Sequence, residues 1–364
     1  MKLSYFTMPL HPPERNYAET LKEDREAFIL ADRLGYEEAF VGEHVTDRAE
    51  TVTSCLMFLA SLATDTKNIK LGSGTVNLPL THPVIVAAQI AMIDNLLEGR
   101  FLFGISPGGL LSDAEALGLL DANRNEMFLE GINHVLALWR EDPPYNLTGK
   151  YWNISTENTM MPEIGQGAIL KPYQDPHPPI VVTVVAPYSK GVTAAAARGW
   201  TPISANFLLP QWVKTHWPNY AEGCELDGRV ADTADWRVAR SIFVAEDEKT
   251  AREYALEAHN SPYRFYYRQL MTKLIAGGRA NLFKEDQGMA DGDLDLDHIV
   301  KTLVIAGTAE SVADQILAFR ETVGDFGTMV YAGHDWVDPA LGRRSLELMA
   351  HEVMPRVNEA IEKE

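Results

Sequence analysis

The sequence has few cysteines, no long apolar run and no cluster of basic residues. Its 364 residues contain two cysteines, Cys55 and Cys224, far apart and without a CxxC spacing, which is typical of a reducing compartment. No stretch approaches the roughly 18 consecutive apolar residues of a membrane span, and the first apolar run is too short for a signal-peptide core. We therefore expect a cytoplasmic protein that does not bind membranes.

Basic residues are outnumbered by acidic ones. Lys and Arg total 32 and Asp and Glu total 51, which gives a formal net charge of −19. Because a nucleic-acid surface needs clustered basic side chains, nucleic acid is excluded as a main partner. A small anion is still a possible ligand, since backbone N–H groups can hold a phosphate on an acidic protein.

Several motifs of common enzyme classes are absent. Gly72-Ser73-Gly74 and the glycine-rich residues 104–109 match neither GxGxxG nor the Walker pattern. The chain has no HExxH motif and no GxSxG motif. These absences disfavour a dinucleotide-binding domain of the GxGxxG type, a P-loop and a serine hydrolase, and we predict no metal site.

Short β-rich runs alternate with longer helical patterns along the chain. The predicted strands are residues 2–7, 38–41, 69–76, 100–105, 180–185, 200–205, 236–244 and 328–331. Eight alternating units favour an α/β fold of the closed (β/α)8 TIM-barrel type over a doubly wound open sheet. The alternation lapses at about 141–179 and 260–297, which we interpret as loops or short helices over the C-terminal face of one domain spanning 1–364.

Polar and small residues recur where the predicted strands end, which is where parallel barrels carry their sites. His44 can exchange a proton near neutral pH or can be a hydrogen-bonded structural histidine. Ser189 and the N–H groups after it can hold a phosphate, or Ser189 can simply cap a helix. Residues 104–109 either let a flat ring approach the backbone or form a tight turn. The aromatic residues 263–267 either cover an apolar ligand or belong to the core.

Taken in order, these segments resemble the bacterial luciferase-like family of flavin-dependent monooxygenases, which has a (β/α)8 barrel. The matching stretches are Glu43-His44, residues 71–79, Thr81-His82-Pro83, residues 97–105, Gly149-Lys150-Tyr151-Trp152, and residues 194–199, 307–313 and 324–327. They span nearly the whole chain. Residues 106–108 and 149–152 are most similar to the branch that contains limonene and diketocamphane monooxygenases.

The resemblance implies a two-component enzyme. A separate flavin reductase would supply reduced FMN (FMNH2), which reacts with O2 to form a C4a-peroxyflavin. The oxygen would then enter a small apolar substrate by hydroxylation, epoxidation or Baeyer–Villiger insertion. The family also implies a homodimer. Two alternatives stay open, namely an oxidoreductase that uses the deazaflavin F420 and a non-catalytic flavin-binding subunit.

The resemblance also assigns roles to individual residues. His44 corresponds to the catalytically important histidine of the family, and the peptide bond between Gly74 and Thr75 corresponds to a non-proline cis peptide beneath the flavin ring. The cofactor-binding residues that it implies are Gly74, Thr75, Asn77, Ser106, Tyr188, Ser189, Lys190 and Gly191. Luciferases proper have a cysteine and an arginine where this chain has Ser106 and Pro107. Light emission is therefore not expected, and phosphate binding is expected to depend on the turn 188–191.

Overall fold

The computed structural model describes residues 1–363, which form twelve strands and fourteen α-helices. The strands are β1 (Lys2–Thr7), β2 (Glu38–Val41), β3 (Lys70–Ser73), β4 (Val76–Asn77), β5 (Phe101–Ser106), β6 (Asn146–Thr148), β7 (Asn153–Ser155), β8 (Ile180–Val184), β9 (Thr201–Ser204), β10 (Arg237–Val244), β11 (Val304–Gly307) and β12 (Thr328–Gly333). The helices are α1 (Tyr17–Arg33), α2 (Cys55–Ala60), α3 (Pro83–Leu96), α4 (Leu111–Ala116), α5 (Arg124–Arg140), α6 (Lys190–Ala196), α7 (Pro210–Val213), α8 (His216–Leu226), α9 (Glu248–Arg252), α10 (Pro262–Ala276), α11 (Leu296–Leu303), α12 (Ala309–Val323), α13 (Pro339–Leu348) and α14 (Met354–Glu362). Within this described part, none of the helices combines the length and the apolar character needed to cross a membrane.

Eight parallel strands close into a barrel. Their order is β1-β2-β3-β5-β8-β9-β10-β12, and β12 pairs back onto β1 with Lys2 opposite Thr328. The junction between β9 and β10 is short, with Ile203 opposite Arg237 and Ser204 opposite Val238. The prediction of a (β/α)8 barrel is therefore confirmed.

An apolar layer fills the barrel beneath its C-terminal end. Six strands each contribute one buried side chain to this layer, and Phe6 of β1 packs against it. The contributing residues are Phe40, Leu102, Val181, Ile203, Ala239 and Val330. Inward-facing side chains pack into such layers in closed barrels, so the interior is a core rather than a pore. Most of this layer also forms the floor of the cleft described below.

The structure differs from the sequence prediction in two places. Val304–Gly307 forms an additional strand, β11, which pairs in parallel with residues 241–244 of β10. The second irregular segment, 260–297, contains the 15-residue helix α10 instead of only loops or short helices. Ser261 caps this helix by accepting a hydrogen bond from the Arg264 N–H, and proline occupies its first position. The first segment, 141–179, contains the antiparallel β6–β7 hairpin.

A buried ion cluster joins the loop after β1 to α1 and to the loop after β12. His11 Nε2 lies 3.1 Å from Asp24 Oδ2, and His11 Nδ1 contacts Asp335. Arg15 binds both Asp335 and Glu23. Oxygen and nitrogen atoms of His11, Glu23 and Asp335 lie within 4.8 Å of one another, and Arg15 supplies positive charge to this group. Burial opposes protonation of His11, but the two aspartates outweigh it and raise the pKa to about 10.

We expect this cluster to make folding stability fall in alkaline solution. Because the pKa of His11 is raised in the folded state, its stabilising contribution is complete below the ordinary value of 6.5 and is lost as the pH rises through about 10. The melting temperature should therefore decrease more steeply between pH 7 and 10 in the wild-type protein than in His11→Asn. Calorimetry at a series of pH values measures both slopes, and equal slopes would contradict the assignment.

Candidate functional site

A cleft of about 580 Å³ opens at the carboxyl ends of the barrel strands. Its walls are mainly apolar, and no charged side chain is among the residues that line it. The polar side chains in the walls belong to Ser73, Thr75, Thr183, Asn206 and Tyr266. A concave apolar site with few polar groups is the usual form of a small-molecule site, and its position matches that of the active sites of parallel barrels.

The structure brings together four of the residues predicted to bind the cofactor. The Gly74–Thr75 peptide bond is cis, as the resemblance implies, and both residues line the cleft. Thr75 Oγ1 donates a hydrogen bond to Ser106 Oγ at 2.7 Å, and Ser106 Oγ donates to Asn77 Oδ1 at 2.8 Å. Ser106 and Asn77 are not among the residues that line the cleft. Their hydrogen bonds position the side chain of Thr75, which does line it.

Gly104 allows two strands to approach closely at the cleft wall. A Cβ atom on Gly104 would lie 1.8 Å from the backbone oxygen of Ser73, a distance that no side chain tolerates. Ser73 Oγ in turn donates to the Gly104 carbonyl and accepts from the Gly104 N–H. Glycine is therefore required at position 104 by the packing of two strands, a reason that neither interpretation of residues 104–109 had considered.

His44 follows β2 and is held by two acidic residues, Glu50 of the same loop and Asp113 of α4. Its Nδ1 lies 2.8 Å from Asp113 Oδ2, and its Nε2 lies 3.6 Å from Glu50 Oε2. The second oxygen of Asp113 accepts hydrogen bonds from the backbone N–H groups of Val45 and Thr46. The imidazole is thus fixed at Nδ1, while Nε2 is directed toward a carboxylate. His44 is not one of the residues that line the cleft.

The surrounding charges favour the protonated form of His44. Burial opposes protonation, but the hydrogen bond to Asp113 and the charge of Glu50 raise the pKa of His44 above its ordinary value. The pKa of Asp113 is lowered to about 2, since its hydrogen bonds to His44 and Thr46 outweigh the effect of burial. Asp113 fixes one ring nitrogen of His44, an arrangement suited to proton transfer, and the other nitrogen, Nε2, lies 3.6 Å from Glu50 Oε2.

Helix α10 connects the His44 cluster to the cleft, and its role was missed at the sequence level. Lys273 of α10 forms ion pairs with Asp47 and Glu50, and Glu50 is the carboxylate that faces His44. Tyr266, two turns earlier on α10, lines the cleft. Tyr263, Tyr266 and Tyr267 are all buried in the core, and Tyr266 also lines the cleft.

The hydroxyl of Tyr266 belongs to a hydrogen-bond network that reaches His334. Tyr266 donates to Asn206 Oδ1 at 3.1 Å, and Asn206 Nδ2 donates to Ser241 Oγ at 3.0 Å. His334 Nε2 lies 2.9 Å from the same serine oxygen, and its ring packs on Tyr266 at 4.3 Å. Burial lowers the pKa of His334 to about 3, so this histidine is neutral at neutral pH.

The predicted phosphate turn, residues 188–191, lies just beyond β8 and outside the lining of the cleft. Tyr188 is 69% exposed, and its N–H donates to Thr215 Oγ1. Ser189 precedes α6, but its side chain makes no capping hydrogen bond. Lys190 forms an ion pair with Glu222 at 2.9 Å, so its charge is partly neutralised. Gly191 is exposed.

Comparison with known families identifies the fold and the type of site together. Residues 1–325 match the family model of luciferase-like monooxygenases. The chain belongs to this family. Among relatives of this luciferase-like monooxygenase is limonene 1,2-monooxygenase from Rhodococcus erythropolis, 29% identical over 97% of this chain and 86% of the relative. The oxygenase component of a flavin-dependent trigonelline monooxygenase from Acinetobacter baylyi is 25% identical, over 98% of this chain and 96% of the relative.

Two solved structures are similar to this chain, one in sequence and fold and the other in fold only. The oxygenating constituent of 3,6-diketocamphane monooxygenase from Pseudomonas putida, a type II Baeyer–Villiger monooxygenase in complex with FMN, superimposes with a TM-score of 0.87. It is 27% identical, and 98% of each chain is covered. An F420-dependent secondary alcohol dehydrogenase has a TM-score of 0.70 over 98% of each chain but is 19% identical, so it shares the fold only. The predicted similarity to limonene and diketocamphane monooxygenases is therefore confirmed.

Proposed function

We propose that this luciferase-like monooxygenase binds reduced FMN in the cleft and uses O2 to oxygenate an apolar organic substrate. Hydroxylation, epoxidation and Baeyer–Villiger insertion are the reaction types considered. The observation that carries the proposal is the uncharged, mainly apolar cleft at the carboxyl ends of the barrel strands, together with the His44–Asp113 pair. The FMN complex of the diketocamphane relative supports the choice of cofactor.

The residues at the cleft fit a flavin. Its apolar walls suit a flat aromatic ring, and Gly74 and Gly104 bring the backbone to the cleft surface without side chains. Thr75 offers a hydroxyl oriented by Ser106 and Asn77. The free Ser189 hydroxyl and its turn provide a place for the phosphate at the edge. When bound and reduced, FMN supplies the electrons that activate O2.

Residues of this protein would exclude water from the cleft and transfer protons. The apolar walls exclude water from the reacting centre, and a substrate without charge is compatible with a cleft that has no charged lining. We assign His44 the exchange of a proton at Nε2, with Asp113 as the residue that positions the ring. Tyr266 and Asn206 are the polar groups available to orient the substrate, since both line the cleft.

The reduced flavin would come from a separate reductase. The trigonelline relative is named as an oxygenase component, which implies a partner that supplies its reduced flavin. We propose the same transient partnership here, in the cytoplasm, where Cys55 and Cys224 would stay as the buried free thiols seen in the structure. Photochemically reduced FMN should replace the reductase in turnover assays if the partner supplies only the cofactor.

We also propose a homodimer, formed through the outer face of α2 and α3. Met57 of α2 is 76% exposed, and Ile85, Met92 and Leu96 of α3 are 47% to 65% exposed. Ile85, Met92 and Leu96 recur at spacings of seven and four residues, which places them on one face of α3, and exposed apolar patches mark interfaces. Light scattering should give twice the chain mass for the wild type and a larger monomer fraction for Met92→Glu. A wild-type monomer would contradict the proposal.

A cofactor titration decides between this function and the two alternatives. The wild-type protein is titrated with FMN, reduced FMN and F420 while the fluorescence of the ring is followed. Tight F420 binding with no response to reduced FMN would support the F420 oxidoreductase instead. The complex with reduced FMN is then mixed with 18O2 and candidate substrates. If flavin binds but no substrate accelerates its reoxidation or gains labelled oxygen, the chain is a non-catalytic flavin-binding subunit.

The phosphate turn makes a separate prediction. Ser189→Ala should weaken FMN binding about tenfold, because it removes a hydrogen bond to a charged phosphate. Riboflavin has the same ring without the phosphate, so its affinity should change little. Fluorescence titrations with both flavins measure the difference. Equal affinity of FMN for the variant and the wild type would leave Ser189 without a role in phosphate binding.

A further inference from the structure

The cleft itself provides no positive charge for a phosphate. None of its lining side chains is charged, and the whole chain has a net charge of −19. A cation at the edge of the cleft, near the turn after β8, would therefore strengthen the binding of an FMN phosphate by a charge-assisted hydrogen bond. Such a cation must come from a residue outside the lining.

Most cations near this end of the barrel already have acidic partners. Lys190 is paired with Glu222, and Lys273 is paired with Asp47 and Glu50. Within residues 1–363 no ion pair with a carboxylate is found for Arg279 or Arg124, nor for Arg48, Lys214 and Arg240; Arg48 and Lys214 are exposed and make no hydrogen bond at the cleft, and Arg240 is buried with its guanidinium over Phe319. Arg279 and Arg124 both donate to backbone carbonyls instead, Arg279 to Val185 and Arg124 to Gly108.

Arg279 is the one of the two that reaches a lining residue. Its Nη2 donates to the Val185 carbonyl at 2.6 Å, and Val185 lines the cleft directly after β8. The Gly108 carbonyl that binds Arg124 does not belong to the lining. Arg279 thus lies at the junction between the cleft and the turn 188–191.

The turn after α10 holds Arg279 near the end of β8. Gly278 adopts a left-handed conformation, with φ +70°, and the Arg279 N–H closes the turn by donating to the Leu274 carbonyl. Trp212 Nε1 donates to the Leu282 carbonyl, and the same indole packs on Tyr188 of the phosphate turn. Trp212 therefore bridges the segment 279–282 and the turn.

We propose that Arg279 is the cation that binds the phosphate of FMN. The inference rests on the proposed function and extends it to a residue outside the barrel. One of the five N–H donors of the guanidinium is used by Val185, and the others are available to phosphate oxygens. Burial lowers the pKa of Arg279, so its charge is only partly solvated, and a bound phosphate would compensate for the lost water.

Parallel titrations with FMN and riboflavin test the proposal. The variants are Arg279→Met and Arg279→Lys, with Arg268→Met as the matched control. Arg268 lies on α10 and is exposed, so its loss changes the net charge equally without removing a contact at the cleft. Arg124→Met tests the competing arginine. Calorimetric melting without flavin shows whether each variant folds.

We expect Arg279→Met to raise the Kd of FMN about tenfold or more. Riboflavin affinity should be unchanged, and Arg279→Lys should bind FMN with an intermediate affinity. Raising the salt concentration should weaken FMN binding to the wild type more than to Arg279→Met. Arg268→Met should resemble the wild type in every titration.

Three results would overturn the proposal. Equal losses of FMN and riboflavin affinity in Arg279→Met would assign the residue a structural role only. A phosphate-specific loss in Arg124→Met but not in Arg279→Met would transfer the role to Arg124. Wild-type protein that binds both flavins equally tightly would show that the phosphate is not recognised, although the flavin function would stand. If the wild type binds neither flavin, the proposed function itself fails.

Discussion

His44→Ala should lower the rate of substrate oxygenation by about 100-fold or more, while FMN affinity stays within several-fold of the wild type. Positioned acid–base groups contribute factors of about 10² to 10⁴, and the His44 ring is not among the residues that line the cleft. Single-turnover assays with reduced FMN measure the rate, and fluorescence titration measures the affinity. His298→Ala is the matched control, since that histidine is exposed and pairs with Glu285. Wild-type activity in His44→Ala would remove the residue from the mechanism.

Asp113→Asn tests the same assignment through pH. The hydrogen bond and charge of Asp113 raise the pKa of His44, so their loss should lower it. The limb of the pH–rate profile that depends on His44 should therefore move to lower pH, with a smaller loss of rate than in His44→Ala. A profile that stays in place would show that another group titrates in that range.

Gly104→Ala should destabilise the fold by about 3 kcal/mol and disrupt flavin binding. The new Cβ would lie 1.8 Å from the Ser73 backbone oxygen, and neither strand can move without breaking barrel pairing. Overpacking in a core costs about 1 to 3 kcal/mol, and a clash between two backbones belongs at the upper end of this range. Denaturant unfolding measures the loss.

Gly109→Ala is the control for that prediction. Gly109 belongs to the same glycine-rich segment, but a Cβ there would have no heavy atom within 4 Å. Its stability and FMN affinity should therefore stay close to those of the wild type. If both variants lose the same stability, the clash at Ser73 is not the cause.

The barrel could be predicted because each of its strands has a recognisable local sequence pattern. Runs such as residues 180–185 are apolar and β-branched, as expected for strands buried on both faces. Strand β11 was missed because Val304 follows α11 with no turn residue between them. Helix α10 was missed because its aromatic residues lie in a segment that otherwise lacks regular spacing, and only the tertiary contacts show which of its faces is buried.

The site was predictable only where it follows a strand. His44, Gly74 and Thr75 come at strand ends, so their positions follow from the topology. Asp113 and Lys273 are 69 and more than 200 residues away from His44, and no local pattern connects them. The sequence gives even less indication of a role for Arg279, because that role depends on which carbonyl the folded chain places beside its guanidinium.

Helix α10 and the turn after it connect three parts of the site. Tyr266 lines the cleft, Lys273 holds the carboxylate that faces His44, and Arg279 reaches the end of β8. A chimera that exchanges residues 260–297 with those of a relative would therefore transfer substrate preference, the proton-transfer environment and flavin affinity together. Under the proposed function, selection on substrate range through this segment would also change flavin affinity.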